Sequence, residues 1–286
     1  MSDASRYAPP RAAVQEAVAR ALAEDLLPLG DLTAALLPAG ATARAVLNAR
    51  QPGVLAGQAC VVETYAQLDP GVTVDWSVAE GAAFEAGATV GCVSGPLATV
   101  LTGERTALNF VRHLSAVASL TRRFVDLAQQ ASGGATRILD TRKTTPGLRA
   151  LEKAAVRAGG GANHRANLSD AVMVKDNHLG GTTIADAVAR ARLLWPGRPV
   201  HVECDTLGQL DEVLEARADR AMLDNFTPDD VAVAVARCAG RVETEVTGGV
   251  DLTTVAAYAK ARPDFISVGA ITHSAGVIDL GLDLVP

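Results

Sequence analysis

The chain has 286 residues, 49% of them apolar, and a formal charge of −6, enough for one barrel-sized domain or two smaller ones with a real core. That charge excludes a protein whose whole surface is an electrostatic nucleic-acid footprint, and no apolar run reaches the roughly 20 residues of a membrane span. The first residues lack the basic-then-apolar layout of a secretory signal, so the expectation is a soluble, cytoplasmic protein.

In chain order, a helix is predicted over residues 11–24. Alternating apolar segments follow, TARAVLNARQPGVLAG and VTVDWSVAEGAAFEAGATVGCVSG, cut by Pro and Gly at short intervals, which predicts an antiparallel sheet or sandwich. The glycine spacing there is like that of a biotinyl or lipoyl carrier, but the stretch has no lysine to modify. A long helix over about 104–130, starting ERTALNFVRHL, would join the two halves. Cys60, Cys92, Cys204 and Cys238 form no C-x-x-C pair and are expected as small core residues, not as disulfides or a zinc site.

The second half repeats one pattern, a short apolar strand, a polar strand end, then an amphipathic helix. Strands are predicted at 135–141, 170–176, 198–204, 220–225, 241–246 and 264–269, with helical stretches at 146–159, 182–195, 206–218, 227–240 and 251–261. Such βα repetition predicts a parallel sheet. No G-x-G-x-x-G follows the first strand to favour a dinucleotide fold. Asp140 to Lys143, Lys175 to His178, Glu203 with Asp205, Asp224 with Asn225, Glu245 with Thr247, and Gly269 with Ala270 all fall at strand C-termini. In a β/α barrel those ends converge on one rim, where active sites lie. The expected fold class is therefore α/β, a C-terminal β/α barrel of about six to seven parallel strands with an N-terminal α+β antiparallel-sheet sandwich. The domains are expected at 1–115, joined by the tail 275–286, and at 116–274.

From residue 137 to 176 there are eight Lys or Arg against Asp140, Glu152, Asp170 and Asp176, a local +4 that leaves −10 for the rest of a −6 chain. Lysine is used only four times, at 143, 153, 175 and 260, so Lys143 and Lys175 past strand ends suggest a compact ammonium wanted for chemistry or phosphate binding. A mouth holding Arg142, Lys143, His164, Arg165 and Lys175 predicts a multiply anionic ligand, with guanidinium forks for carboxylate or phosphate. Glu203 and Asp224 across the rim suit Mg²⁺ or ribose hydroxyls, and the glycine-containing ends EVTGGV and SVGAITHS suit a phosphate. Each feature alone is weak, since a Gly-Gly can be a plain turn, Glu203 or Asp224 a helix cap, and His113, His201 and His273 ordinary packed or surface histidines. RAGGGANHR is read as functional, because three glycines are an entropically poor choice for a merely structural segment.

Together, AEDLLPLGDLT, GVLAG, GERTALNFVRHLS, DTRKTTPGLRALEKAAVRAGGGANHR, LSDAVMVKDNH, VEC, MLDN, EVTGG and VGAITHS resemble the quinolinate phosphoribosyltransferase family, in the family's order and over nearly the whole chain. The resemblance implies that the ring nitrogen of quinolinate attacks C1 of phosphoribosyl pyrophosphate, with loss of the 2-carboxylate, giving nicotinate mononucleotide, pyrophosphate and CO2. It implies Arg105, Arg142, His164, Arg165 and Lys175 as quinolinate-binding cations, and Lys143 and Lys175 against the pyrophosphate. It assigns Glu203 and Asp224 to ribose hydroxyls and Mg²⁺, and Thr247, Gly248, Gly249, Gly269, Ala270 and His273 to the 5′-phosphate. Lys143, Lys175, Glu203 and Asp224 are the expected catalytic set. Arg105 would serve a neighbouring subunit, making the enzyme a homodimer or a multiple of it. Two departures stand out: SAVAS at 115–119 where members read S-G-I-A-T, placing Ala116 for Gly, and Thr247 where Ser is usual. Rival readings are a paralogue associated with molybdenum transport, a Schiff-base aldolase using Lys175, and a nucleotide-sensing module.

Overall fold

Period-two alternation at the start of the chain becomes a sheet with one buried face. In the computed structural model, which describes residues 7–285, the order is α1 (Arg11–Leu26), β1 (Thr42–Ala49), β2 (Gly53–Val54), α2 (Gln58–Leu68), β3 (Thr73–Trp76), β4 (Ala83–Phe84), β5 (Thr89–Pro96) and α3 (Leu97–Ser132). Strand β1 turns Ala45, Leu47 and Ala49 inward and pairs antiparallel with β5, which pairs in turn with β3. Val61 and Tyr65 of α2 and Val100, Leu108 and Val111 of α3 pack with these residues into one apolar core. The buried Tyr65 hydroxyl donates to the Val100 carbonyl, which removes the penalty of burying a phenol. Ala116, the departure on α3, is 2% exposed in the same core.

The AEDLLPLGDLT stretch acts as a clamp on α3. Asp25 accepts from the Thr106 hydroxyl and Asp31 from the Thr102 hydroxyl, both at 2.9 Å. Asp31 also accepts from the Thr33 and Ala34 amides. The Ala34 amide and then Thr102 hold its carboxyl below the usual range against a small desolvation effect.

The second half continues with β6 (Arg137–Leu139), α4 (Arg149–Ala158), β7 (Val172–Val174), α5 (Asp176–Leu179), α6 (Ile184–Leu194), β8 (Val200–Cys204), α7 (Leu207–Glu215), β9 (Arg220–Asp224), α8 (Pro228–Cys238), β10 (Glu243–Thr247), α9 (Val255–Lys260), β11 (Phe265–Ser267), α10 (Ala270–His273) and β12 (Leu280–Val285). Six of these strands form one parallel sheet in the order β6-β11-β10-β9-β8-β7, while β12 returns to pair with β1. Buried aliphatic residues on the outer face, such as Val202, Leu223, Val246 and Ile266, lie under the helices. Thr183, Thr206 and Thr227 cap α6, α7 and α8 by accepting from the third helical amide, each cap contributing about 1 kcal/mol.

β6 and β7 end the sheet without pairing to each other. The segment after α4 stands beside both: Ala162 makes a parallel bridge with Leu139, and the Arg165 guanidinium donates to the Ala171 carbonyl just before β7.

The chain divides into two units, the second comprising Arg123–Lys143 and Gly161–Ala270. The helix after the first barrel strand departs from simple βα alternation, because α4 lies within Thr144–Gly160, which belongs to the unit of the antiparallel sheet. Two of the three glycines in RAGGG serve that placement. A Cβ on Gly159 would lie 2.4 Å from the Ala118 carbonyl oxygen of α3, and Gly160 has φ +90°. Gly159 and Gly160 thus have a packing and a backbone reason as well, beside the Asn163–His164–Arg165 segment they lead into. All four cysteines are free and buried, as expected of small core residues.

Candidate active site

The second unit opens at the C-terminal ends of its strands into a cavity of about 400 Å³. Thr141, Arg142, Lys143, His164, Arg165, Lys175, Glu203, Asp224, Thr247 and Gly248 line it, so most residues singled out from the sequence do converge. Met173, Met222, Glu245 and Ser267 complete the wall.

The loop after β6 is built by its own side chains. Thr141 Oγ1 accepts from the Lys143 amide at 3.0 Å, which turns the chain so that Arg142 and Lys143 both reach the cavity. Thr144 accepts from Arg149 Nε, and the Thr145 amide donates to the buried Glu152, whose other oxygen meets His113 Nε2 at 2.8 Å. Those hydroxyls are loop architecture. Buried Asp140 accepts from the His164 amide at 2.8 Å and from Asn163 Nδ2 at 2.6 Å, pinning the segment that carries His164 and Arg165 to the end of β6.

Arg142 and Arg165 share the cavity wall. Burial lowers the Arg165 pKa from its ordinary value, and repulsion from Arg142 lowers it further. Two guanidiniums that repel in a partly desolvated wall are relieved by an anion between them. Across the cavity Lys175 Nζ donates to Glu203 Oε2, and Asp224 accepts from Asn225 Nδ2 at 3.0 Å.

Strand register sets the interior. Lys175, Glu203 and Asp224 sit at or just past the ends of β7, β8 and β9, and Asp224 stands opposite Thr247 of β10. At Gly248, φ is +88° and a Cβ would lie 2.4 Å from Asn225 Oδ1 and 2.9 Å from Asp224 Oδ1. Glycine is therefore required there both by backbone conformation and by space. The exposed amide edge so produced suits a phosphate oxygen.

Below the cavity the interior is polar. Arg220 donates to Glu243 at 2.7 Å and to the fully buried Glu245 at 2.9 Å, with its guanidinium 4.0 Å from the Phe265 ring centroid. Burial pushes His201 down to about 4, helped by Arg220 and His164. Arg220 was not evident as important in the sequence, although alternation in R-A-M-L-D sets Arg220, Met222 and Asp224 on one face.

Some expected residues lie elsewhere. Gly249, Gly269, Ala270 and His273 do not line this cavity, and His273 is exposed, bonding Ser274. Arg105 is exposed on α3, in the other unit. Among the described residues no group of three or more His, Cys, Asp or Glu could by itself hold a metal ion. Nor, among the described residues, is any helix long and apolar enough to cross a membrane.

Residues 117–283 match the C-terminal domain and residues 31–115 the N-terminal domain of quinolinate phosphoribosyl transferase. A nicotinate-nucleotide pyrophosphorylase [carboxylating] of Mycobacterium leprae (strain TN) is 40% identical over 95% of this chain and 97% of its own. A probable nicotinate-nucleotide pyrophosphorylase [carboxylating] of Bacillus subtilis (strain 168) is 38% identical over 89% and 88%. The solved structure of the nicotinate-nucleotide pyrophosphorylase from Francisella tularensis superposes with TM-score 0.93 at 40% identity, covering 96% of this chain and 97% of that one.

Proposed function

The chain belongs to the quinolinate phosphoribosyltransferase family, and from that premise we propose that it transfers phosphoribosyl from phosphoribosyl pyrophosphate to quinolinate with decarboxylation, yielding nicotinate mononucleotide, pyrophosphate and CO2 in NAD biosynthesis. The observation that carries this reading is one cavity lined by Arg142, Lys143, Arg165 and Lys175 together with Glu203, Asp224 and the Thr247–Gly248 turn. Quinolinate brings two carboxylates and the donor a phosphate and a pyrophosphate, so the charges are complementary.

Arg142, Arg165 and Lys175 hold the acceptor, in a wall to which His164 belongs. Lys143 and Lys175 meet the pyrophosphate, while Thr247, Gly248 and Gly249, with Gly269, Ala270 and His273, receive the 5′-phosphate. Breaking the bond from C1 to pyrophosphate leaves positive charge on the ribose and negative charge on the leaving group. Glu203 and Asp224 stabilise the first, and the lysines the second, from fixed positions. The ring nitrogen gives its electron pair to C1. The resulting quaternary nitrogen then accepts the pair released when the bond to the 2-carboxylate breaks, and a proton replaces the CO2.

Two carboxylates without a third donor do not form an all-protein cage. They do fit a Mg²⁺ that arrives with the pyrophosphate, held through Glu203 and Asp224, where it would neutralise the leaving group. We also propose that the enzyme is a homodimer or a multiple of it, with Arg105 of each copy serving the acceptor site of the other, and that it works in the cytoplasm. Lys175 pairs with Glu203 instead of standing in the apolar pocket an imine-forming lysine uses, which leaves the aldolase reading without support.

The test is pyrophosphate release from the purified protein with donor, Mg²⁺ and candidate pyridine acids. Release that requires quinolinate, and is not elicited by nicotinate, supports the assignment. Release with an unrelated acceptor only would shift it to the paralogue with the same fold.

A further inference from the structure

We propose that Met173 is a positioning residue of the acceptor site: its thioether sulfur and the Ala171 carbonyl hold the Arg165 guanidinium at two points, both neutral, so that its charge and its remaining donors are kept for an anionic acceptor. That the acceptor is quinolinate rests on the transferase reading above. The contact between the two side chains stands by itself.

Methionine is scarce in this chain. After the first residue it occurs only at 173 and 222, and both side chains line the cavity. Strand β7 alternates: Val174 is buried, while Met173 and Lys175, two residues apart, both reach the cavity, as period-two geometry requires. The simplest reading of Met173 is a flexible apolar filler of the wall. Its neighbour gives it a further task.

Arg165 is brought beside β7 by a closed turn. The Ala166 amide donates to Asp170 Oδ2 at 2.7 Å, and inside the turn the Ser169 amide donates to Asn167 Oδ1 at 2.7 Å. Arg165 Nη1 then donates to the Ala171 carbonyl at 3.1 Å, and Nη2 to Met173 Sδ at 3.3 Å. One contact would leave the planar guanidinium free to pivot. Two contacts, from different nitrogens to partners two residues apart along the chain, fix its plane.

The kind of partner matters as much as the number. Burial lowers the Arg165 pKa and repulsion from Arg142 lowers it further, with Asp170 at the foot of the turn a smaller, opposing influence. A carboxylate at position 173 would relieve the repulsion, but it would also compete with the carboxylates of the acceptor. A thioether is a weak, uncharged acceptor. It occupies one N–H and adds no negative charge beside the guanidinium. Of the five N–H donors of an arginine, Ala171 and Met173 take two, which leaves three for the acceptor.

A conservative pair of variants tests this. Met173→Leu keeps the apolar volume and removes the acceptor atom. It is expected to raise KM for quinolinate about 3- to 10-fold, with kcat and KM for phosphoribosyl pyrophosphate within about twofold of the parent and the urea midpoint little changed. Met173→Gln puts an amide carbonyl where the sulfur was and is expected to return KM for quinolinate to within about twofold of the parent. Equal losses in the two variants, or a loss shared by both substrates, would make Met173 plain packing and overturn the proposal. The contact is also read without turnover, in full-length protein carrying ¹³C in its methionine methyl groups. The signal lost in Met173→Leu is that of Met173, and it is expected to move in Arg165→Gln by clearly more than the Met222 signal does. A Met173 signal that stays in place would overturn the proposal as well. One that moves, in a protein that turns over no quinolinate, would refute the transferase reading and leave the hold of Met173 on Arg165 standing.

Discussion

Replacing Arg142 by Gln separates a residue kept for its ligand from one kept for the fold. Arg142 is half-buried in the cavity wall, and it is the first charged group to depress the Arg165 pKa after burial itself. Loss of a two-point guanidinium contact to a carboxylate removes two charge-assisted hydrogen bonds, each about 1.5–3 kcal/mol. Allowing for water replacing part of the contact, the loss is about 3–4 kcal/mol, or roughly 100- to 1,000-fold in affinity. In the free protein the sign reverses: relief of the repulsion leaves stability unchanged or raises it by about 0.5–1 kcal/mol. Titration calorimetry with quinolinate reads the first quantity and urea unfolding of the free protein the second. An affinity loss under about threefold, or a free protein destabilised by as much as binding is weakened, would show that Arg142 is structural and that the cation pair was misread.

Gly248→Ala must place a Cβ against Asn225 and Asp224 at φ +88°, so stability should fall by about 1–3 kcal/mol, with KM for phosphoribosyl pyrophosphate raised more than KM for quinolinate; equal effects on both would remove Gly248 from the phosphate site. Glu203→Gln and Asp224→Asn should each lower kcat by about 10- to 1,000-fold with little change in quinolinate affinity, and a loss confined to quinolinate binding would contradict their placement beside the ribose. His201 carries the pH dependence of stability. Its folded pKa of about 4 lies below the ordinary value of 6.5, so between those values the unfolded chain binds a proton that the folded one does not, and stability falls as pH falls from 6.5 to 4. The contribution is on the order of 3 kcal/mol, and unfolding of His201→Asn across that range should show a flatter acid limb; an unchanged limb would assign the dependence to the carboxylates.

Much of this was legible in the residues, and for identifiable reasons. Runs such as RPVHVEC and RAMLDN combine an apolar outer face with an acidic residue one place before the end, so both the parallel sheet and the rim carrying Glu203 and Asp224 could be drawn from alternation. The helices between the parallel strands ran shorter than their patterns, α9 most of all, because flanking DLTT forms turns through Asp251 before the helix begins, whereas α1 and α3 ran longer than predicted. What alternation does not encode is the partner of a buried face. The amphipathic pattern of α4 is plain, yet nothing in it says that it belongs with the antiparallel sheet's unit. In the same way a Gly-Gly-Gly run does not reveal that Gly159 is needed for the approach of α4 to α3. Asp140 read as one more rim acid, and only the paired bonds to Asn163 and the His164 amide show it as a clamp. Nor does alternation at the start of β9 reveal that Arg220 meets Glu243, Glu245 and the face of Phe265.

The most direct test of the central claim uses quinolinate labelled with ¹³C in the 2-carboxylate, incubated with phosphoribosyl pyrophosphate, Mg²⁺ and the purified protein. One labelled CO2 released for each nicotinate mononucleotide formed, with both products lost together in Arg142→Gln and Arg165→Gln, is the predicted result. A nucleotide that keeps the label, or labelled CO2 without nucleotide, would contradict the account.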